Sequence, residues 1–137
     1  MYYVFEAIFI GIYSCIIFII LSSSFIHKYF LLLFLTGFFK HFFGYFLGLQ
    51  TYYCNYGYAC NKKNHETSYE IHDKISTNNI SILTVESVFE GIVFIIIGTI
   101  TNAFIKHKIL SVFFVGFILH IISEILGIHS YFCENRC

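Results

Sequence analysis

Ten side chains in this 137-residue chain stand where their chemistry would matter. Six are ionisable yet lie inside otherwise apolar runs: Glu6, Lys40, His41, Glu90, His120 and Glu124. A charge at the centre of a membrane-spanning helix costs about 2.5–3.5 kcal/mol on insertion scales, so each such group needs a partner. Depth along the helices predicts Glu6 with His41 and Glu90 with His120, with Glu124, one turn from His120, as a competing partner. Such a set suits a proton relay, a metal site of two His and two Glu, or a contact to a lipid headgroup or quinone. The plainer reading, which we favour, is a set of interhelical hydrogen bonds that holds a bundle together. Lys40 is matched by Leu119 in the second half of the chain, which argues against a symmetric metal site, and no metal is assigned.

The other four are cysteines. Cys54 and Cys60 follow Tyr52-Tyr53, and Cys133 and Cys137 follow Tyr131-Phe132. Four cysteines allow three pairings, and sequence does not choose among local closure and the two crossed patterns. Structural disulfides are expected. As redox centres they would exchange with one another and pass electrons to a quinone. A four-cysteine zinc site fits poorly, because C-x5-C and C-x3-C do not make the usual close doublets on both sides. Cys15, inside an apolar run, reads as a filler. No catalytic residue is assigned, and no cofactor is expected apart from a quinone under the redox reading.

The elements that must position these groups follow from composition. Hydrophobic residues make up 58% and charged residues 12%, with mean hydropathy +0.75; a soluble domain carries about 25% charged residues. Net charge is zero without a basic block, so nucleic acid is excluded as a partner. Four apolar runs, near Tyr2–Leu21, Phe30–Leu49, Val85–Ile105 and Ile109–Ile128, approach the roughly 20 residues that cross a hydrocarbon core. The first lacks the basic start of a signal peptide and carries Glu6, so it reads as a retained helix.

The chain also repeats itself. Shifted by 79 positions, Gly37–Cys54 matches Gly116–Cys133 at seven positions, among them His41/His120, Gly48/Gly127 and Cys54/Cys133. Val4–Ile8 further resembles Val88–Ile92, which aligns Glu6 with Glu90. The expected architecture is therefore an all-α integral membrane protein of four helices in two tandem, parallel-repeat hairpins. The boundaries are 1–60 for the first hairpin, 61–84 for a polar loop and 85–137 for the second hairpin. Gly37, Gly44 and Gly48, with Gly116, Ser123 and Gly127, form small-residue stripes along which the second and fourth helices are expected to meet, with the two histidines flanking the axis.

Basic short turns, Lys28 and Lys106-His107-Lys108, favour the cytoplasm, which predicts N-out, C-out topology with all four cysteines outside. Asn79 begins a glycosylation sequon on that outer face. His65-Glu66 and His72 in the polar loop lack metalloprotease spacing.

Two resemblances extend this. Four helices with cysteine pairs on the non-cytosolic side resemble quinone-linked disulfide-forming membrane proteins and vitamin K epoxide reductase, but without their C-x-x-C pair. The stretch KHFFGYFLGLQTYYCNYGYAC, with 18 Phe, 11 Tyr and no Pro or Trp, resembles small multipass membrane proteins of giant DNA viruses. That resemblance implies a viral envelope or host secretory-pathway membrane and no activity. The expected function is non-enzymatic, structural or interactive, with the lipid bilayer as partner and with a homo-oligomer or complex with other membrane proteins left open. The alternatives are a quinone-linked thiol oxidoreductase using the outer cysteines, and proton or ion passage along the His/Glu axis.

Overall fold

In the computed structural model, residues 2–24, 28–61 and 80–137 are described, and they are all-α. Four long helices, α1 (Tyr2–Ser23), α2 (Tyr29–Phe46), α4 (Ile80–Phe104) and α5 (Lys108–Ile125), are long and apolar enough to cross a membrane. Two short ones, α3 (Leu49–Tyr56) and α6 (Ile128–Arg136), follow α2 and α5. Residues 58–61, which carry Ala59 and Cys60, are also helical. The start of α1, the short helices and the four cysteines gather at one end, here called the cysteine face. Lys28, Lys106 and Lys108 mark the other, where the Lys108 ammonium lies 5.8 Å from the centre of the Tyr29 ring.

The helices turn isoleucine and phenylalanine outward and small residues inward. Phe5, Phe9, Ile12 and Ile20 on α1, and Val85, Phe89, Ile96 and Ile100 on α4, are exposed. The buried line of α1 is Ala7, Gly11, Ser14 and Phe18, and that of α4 is Leu83, Ser87, Gly91, Phe94, Gly98 and Thr101. Steps of three and four keep each line on one helical face. Apolar surface facing outward and hydroxyls facing inward suit a hydrocarbon solvent. The buried hydroxyls of Ser14, Thr36 and Ser87 donate to the carbonyls one turn back, of Ile10, Leu32 and Leu83, at 2.7–2.8 Å. Thr101 and Ser111 share a hydrogen bond of 2.9 Å between α4 and α5.

The most extensive packing joins the two halves of the chain: α1 lies along α5 and α2 along α4. Glycine permits both approaches. A Cβ at Gly37 would lie 2.8 Å from the Glu90 carbonyl oxygen and 2.9 Å from the Gly91 Cα, and one at Gly91 would meet the Phe34 ring at 2.8 Å. On the other side a Cβ at Gly11 would meet the Phe113 ring at 2.8 Å, and one at Gly116 would strike Ser14.

These contacts correct the expected use of the stripes. The second and fourth helices are not joined by an extensive contact; each presents its glycine to the first helix of the other half. Gly44 leaves room, its nearest neighbour being Leu49 at 3.8 Å from a Cβ. Gly48 and Gly127 are not packing residues: with φ of +72° and +71° and open space around them, they end α2 and α5 in the left-handed conformation and turn the chain into the short helices. This also stops α2 at Phe46 and α5 at Ile125, short of the expected Leu49 and Ile128. The third spanning helix starts earlier than expected, at Ile80, so residues 80–84 of the anticipated polar loop are helical. The rest of that loop, residues 62–79 with the Asn79 sequon, lies outside the described residues.

Gly37→Ala is expected to destabilise the bundle by roughly 1–3 kcal/mol, because the new methyl group meets backbone that cannot step aside. Gly44→Ala, with space available, is expected to be neutral or slightly stabilising. Midpoints of denaturant unfolding in detergent compare the two; equal midpoints would contradict the packing described.

Candidate functional site

Two polar clusters occupy the half of the bundle nearer the cysteine face. The first lies between α2 and α4. Glu90 is gripped from both oxygens: Oε1 pairs with the Lys40 ammonium, and Oε2 lies 2.7 Å from Nδ1 of His41. The other ring nitrogen of His41 is 3.5 Å from Glu86, an electrostatic contact. Lys40 also lies 5.2 Å over the ring of Phe94, which is fully buried. Adjacent positions on α2 thus send a lysine and a histidine to one carboxylate, which neutralises it inside the bundle.

The second cluster lies where α1 meets α5 and is roofed by α3 and α6. Glu6 accepts a hydrogen bond from the Tyr58 backbone N–H at 2.8 Å through Oε1, while Oε2 faces Nε2 of His120 at 3.4 Å. The His120 ring stands 4.5 Å, centre to centre, from that of His129. Nδ1 of His129 is 2.8 Å from Glu124, and the Tyr53 hydroxyl reaches the same carboxylate oxygen at 3.5 Å. Tyr53 touches both imidazoles and Phe132. The chain of groups runs Tyr58, Glu6, His120, His129, Glu124, Tyr53, and it ties α1, α5 and both short helices together.

Burial, then the charges of Glu124 and Glu6, push the Tyr53 phenol far up, so it stays protonated and donates. Burial pushes His129 down, the neighbouring His120 adds to this, and the hydrogen bond His129 donates to Glu124 opposes it. Both clusters are acid–base networks whose groups are engaged with one another.

Several partnerships differ from those expected. All six intramembrane residues have partners, but Glu6 meets His120 rather than His41, Glu90 meets His41 rather than His120, and Glu124 meets His129 rather than His120. The exchange follows from the packing of each half on the other, which sets α1 beside α5. Sequence reasoning did not single out His129, Tyr53 or Glu86 as members of a site. The available signal for His129 was Gly127, since a left-handed bend between positions 124 and 129 folds the two side chains together.

The four cysteines of the cysteine face form two disulfides, Cys54–Cys137 and Cys60–Cys133, with Cα separations of 5.5 and 5.3 Å. Each joins the first half of the chain to the second. Cys15 is a free thiol 3.4 Å from the Ile109 carbonyl. No protein-family model matches this chain, and neither does any curated protein or solved structure.

Two outcomes follow. Glu90→Gln strips Lys40 of its counter-ion inside the bundle and is expected to cost about 3–5 kcal/mol. Replacing both groups by Lys40→Leu and Glu90→Ile is expected to recover most of that loss, as read by comparing the unfolding free energies of the two variants in detergent. For His129, a depressed folded-state pKa means that the unfolded chain binds the proton more readily. Its contribution is therefore fully present above about pH 6.5 and is lost as pH falls through the depressed value. The unfolding midpoint should drop on acidification from about pH 7 to 5, and His129→Gln should flatten that drop.

Proposed function

We propose that this chain is a non-enzymatic structural protein of a membrane, a braced four-helix scaffold of a viral envelope or a host secretory-pathway membrane. The observation that carries this reading is the pair of disulfides at the cysteine face. Both link one half of the chain to the other across the roof of the bundle, closing sequence separations of 83 and 73 residues. The titratable groups beneath them are likewise spent on holding helices together. A protein whose covalent bonds, buried charges and glycines all serve the same interlock is suited to rigidity.

Two finer features belong to the same proposal. The cysteine face is extracytosolic, as basic turns at the opposite end and paired cysteines favour. The bundle descends from a duplicated helical hairpin. The bends at Gly48 and Gly127, the approach of Phe34 to Gly91 and of Phe113 to Gly11, and the pairs His41–Glu86 and His120–Glu6 at 3.5 and 3.4 Å support this. These correspondences relate α1 to α4 by 80 positions and α2 to α5 by 79, so Glu6 is the counterpart of Glu86 rather than of Glu90. Lys40 and Glu90 then stand where the other half has Leu119 and Ile10, an ion pair acquired by one half alone.

Removing both disulfides by Cys54→Ser with Cys60→Ser should lower the unfolding free energy by about 2–5 kcal/mol while leaving all four helices inserted. A membrane-impermeant amine reagent applied to intact cells should spare Lys106 and Lys108. Unchanged stability would overturn the bracing role, and labelling of those lysines would overturn the orientation.

A further inference from the structure

The two disulfides touch. Sγ of Cys60 lies 3.8 Å from Sγ of Cys137, and the sulfurs of Cys60, Cys133 and Cys137 all fall within 4.8 Å of one another. Their exposure is graded: Cys60 is 3% exposed, Cys54 and Cys133 are partly buried, and Cys137 is exposed at the end of the chain described. The most exposed of the four cysteines is therefore in sulfur-to-sulfur contact with the most buried, and the two belong to different disulfides.

Thiol–disulfide exchange proceeds by attack of a thiolate on a disulfide sulfur, and it depends on access and proximity. We infer that Cys54–Cys137 and Cys60–Cys133 act as one exchange unit that accepts an electron pair at Cys137 from a dithiol and moves it inward. A thiolate of the external dithiol attacks Cys137, the Cys54–Cys137 bond breaks, and Cys54 leaves and takes a proton. The second thiol of the donor then closes the donor's own disulfide and releases Cys137 as a thiolate. The dithiol has been oxidised by two electrons, and Cys54 and Cys137 have been reduced. Cys137 next attacks Cys60, its neighbour at 3.8 Å. The Cys60–Cys133 bond breaks, a Cys60–Cys137 bond forms, and Cys133 leaves as the thiolate that takes up the proton. This internal step is redox-neutral. It ends with thiols at Cys54 and Cys133.

The inference goes beyond the scaffold role, which requires only that the bonds exist. The two are separable, because loss of stability reports bracing, whereas the identity of the free thiol reports exchange. The test uses the full chain in detergent. In Cys54→Ser, Cys137 is left as the only outer thiol beside an intact Cys60–Cys133 bond. After equilibration, acid quenching, alkylation and peptide mass spectrometry, label is expected on Cys133 as well as Cys137, together with a Cys60–Cys137 cross-linked peptide. Label confined to Cys137, with Cys60–Cys133 intact throughout, overturns the proposal.

Cys133→Ser probes the same sulfur contact from the other side: the freed Cys60 attacks Cys137, the Cys54–Cys137 bond breaks, and the label is expected to move to Cys54 rather than remain on Cys60. Should either variant fail to fold, wild-type protein treated with substoichiometric dithiothreitol decides the matter. Its two-electron-reduced form is expected to carry thiols at Cys54 and Cys133, and thiols solely at Cys54 and Cys137 would overturn the relay.

Discussion

Helices in hydrocarbon gain nothing from hiding apolar side chains from one another, so their association rests on how closely their backbones approach. In this bundle that approach is set at four glycines. Gly37 and Gly91 bring α2 onto α4, and Gly11 and Gly116 bring α1 onto α5, at distances a single methyl group would forbid. Everything else in the molecule is arranged around those two seams. Phenylalanine rings lie over the gaps at Phe34 and Phe113, small hydroxyls line the interior, and the bulkier isoleucines are left for lipid.

The seams also explain the placement of charge. A carboxylate inside a membrane is tolerable only beside a cation or donor that is held in place. The α2–α4 seam supplies Lys40 and His41 to Glu90, and the α1–α5 seam supplies His120 to Glu6. Because each seam joins residues distant in sequence, these pairs act as long-range locks rather than as helix-local contacts. The second cluster continues past the end of α5 into the short helices, where Tyr53, His129 and Glu124 close the roof. The disulfides then lie over a layer that is already cross-linked by hydrogen bonds.

That layering reconciles bracing with exchange. The seams and polar clusters hold the helices in register beneath the cysteine face, so the sulfurs can trade partners among positions already held close together. The contact between the exposed Cys137 and the buried Cys60 is the feature on which the proposed exchange rests.

The sequence by itself determined the four spans, the parity that brings the cysteines to one face, and the positions where charge must find a partner. Those depend on local quantities: the length of an apolar run against the thickness of a bilayer, and helical periodicity. It did not determine which histidine meets which glutamate, the pairing of the cysteines, or the separate tasks of the glycines. Gly37 and Gly48 look alike in a stripe, yet one admits a neighbouring backbone and the other adopts a positive φ. Glu6 finds its histidine 114 residues away only because α1 lies along α5. Such choices are made by which helix faces meet and where the backbone bends, and these are properties of the packed bundle rather than of any segment.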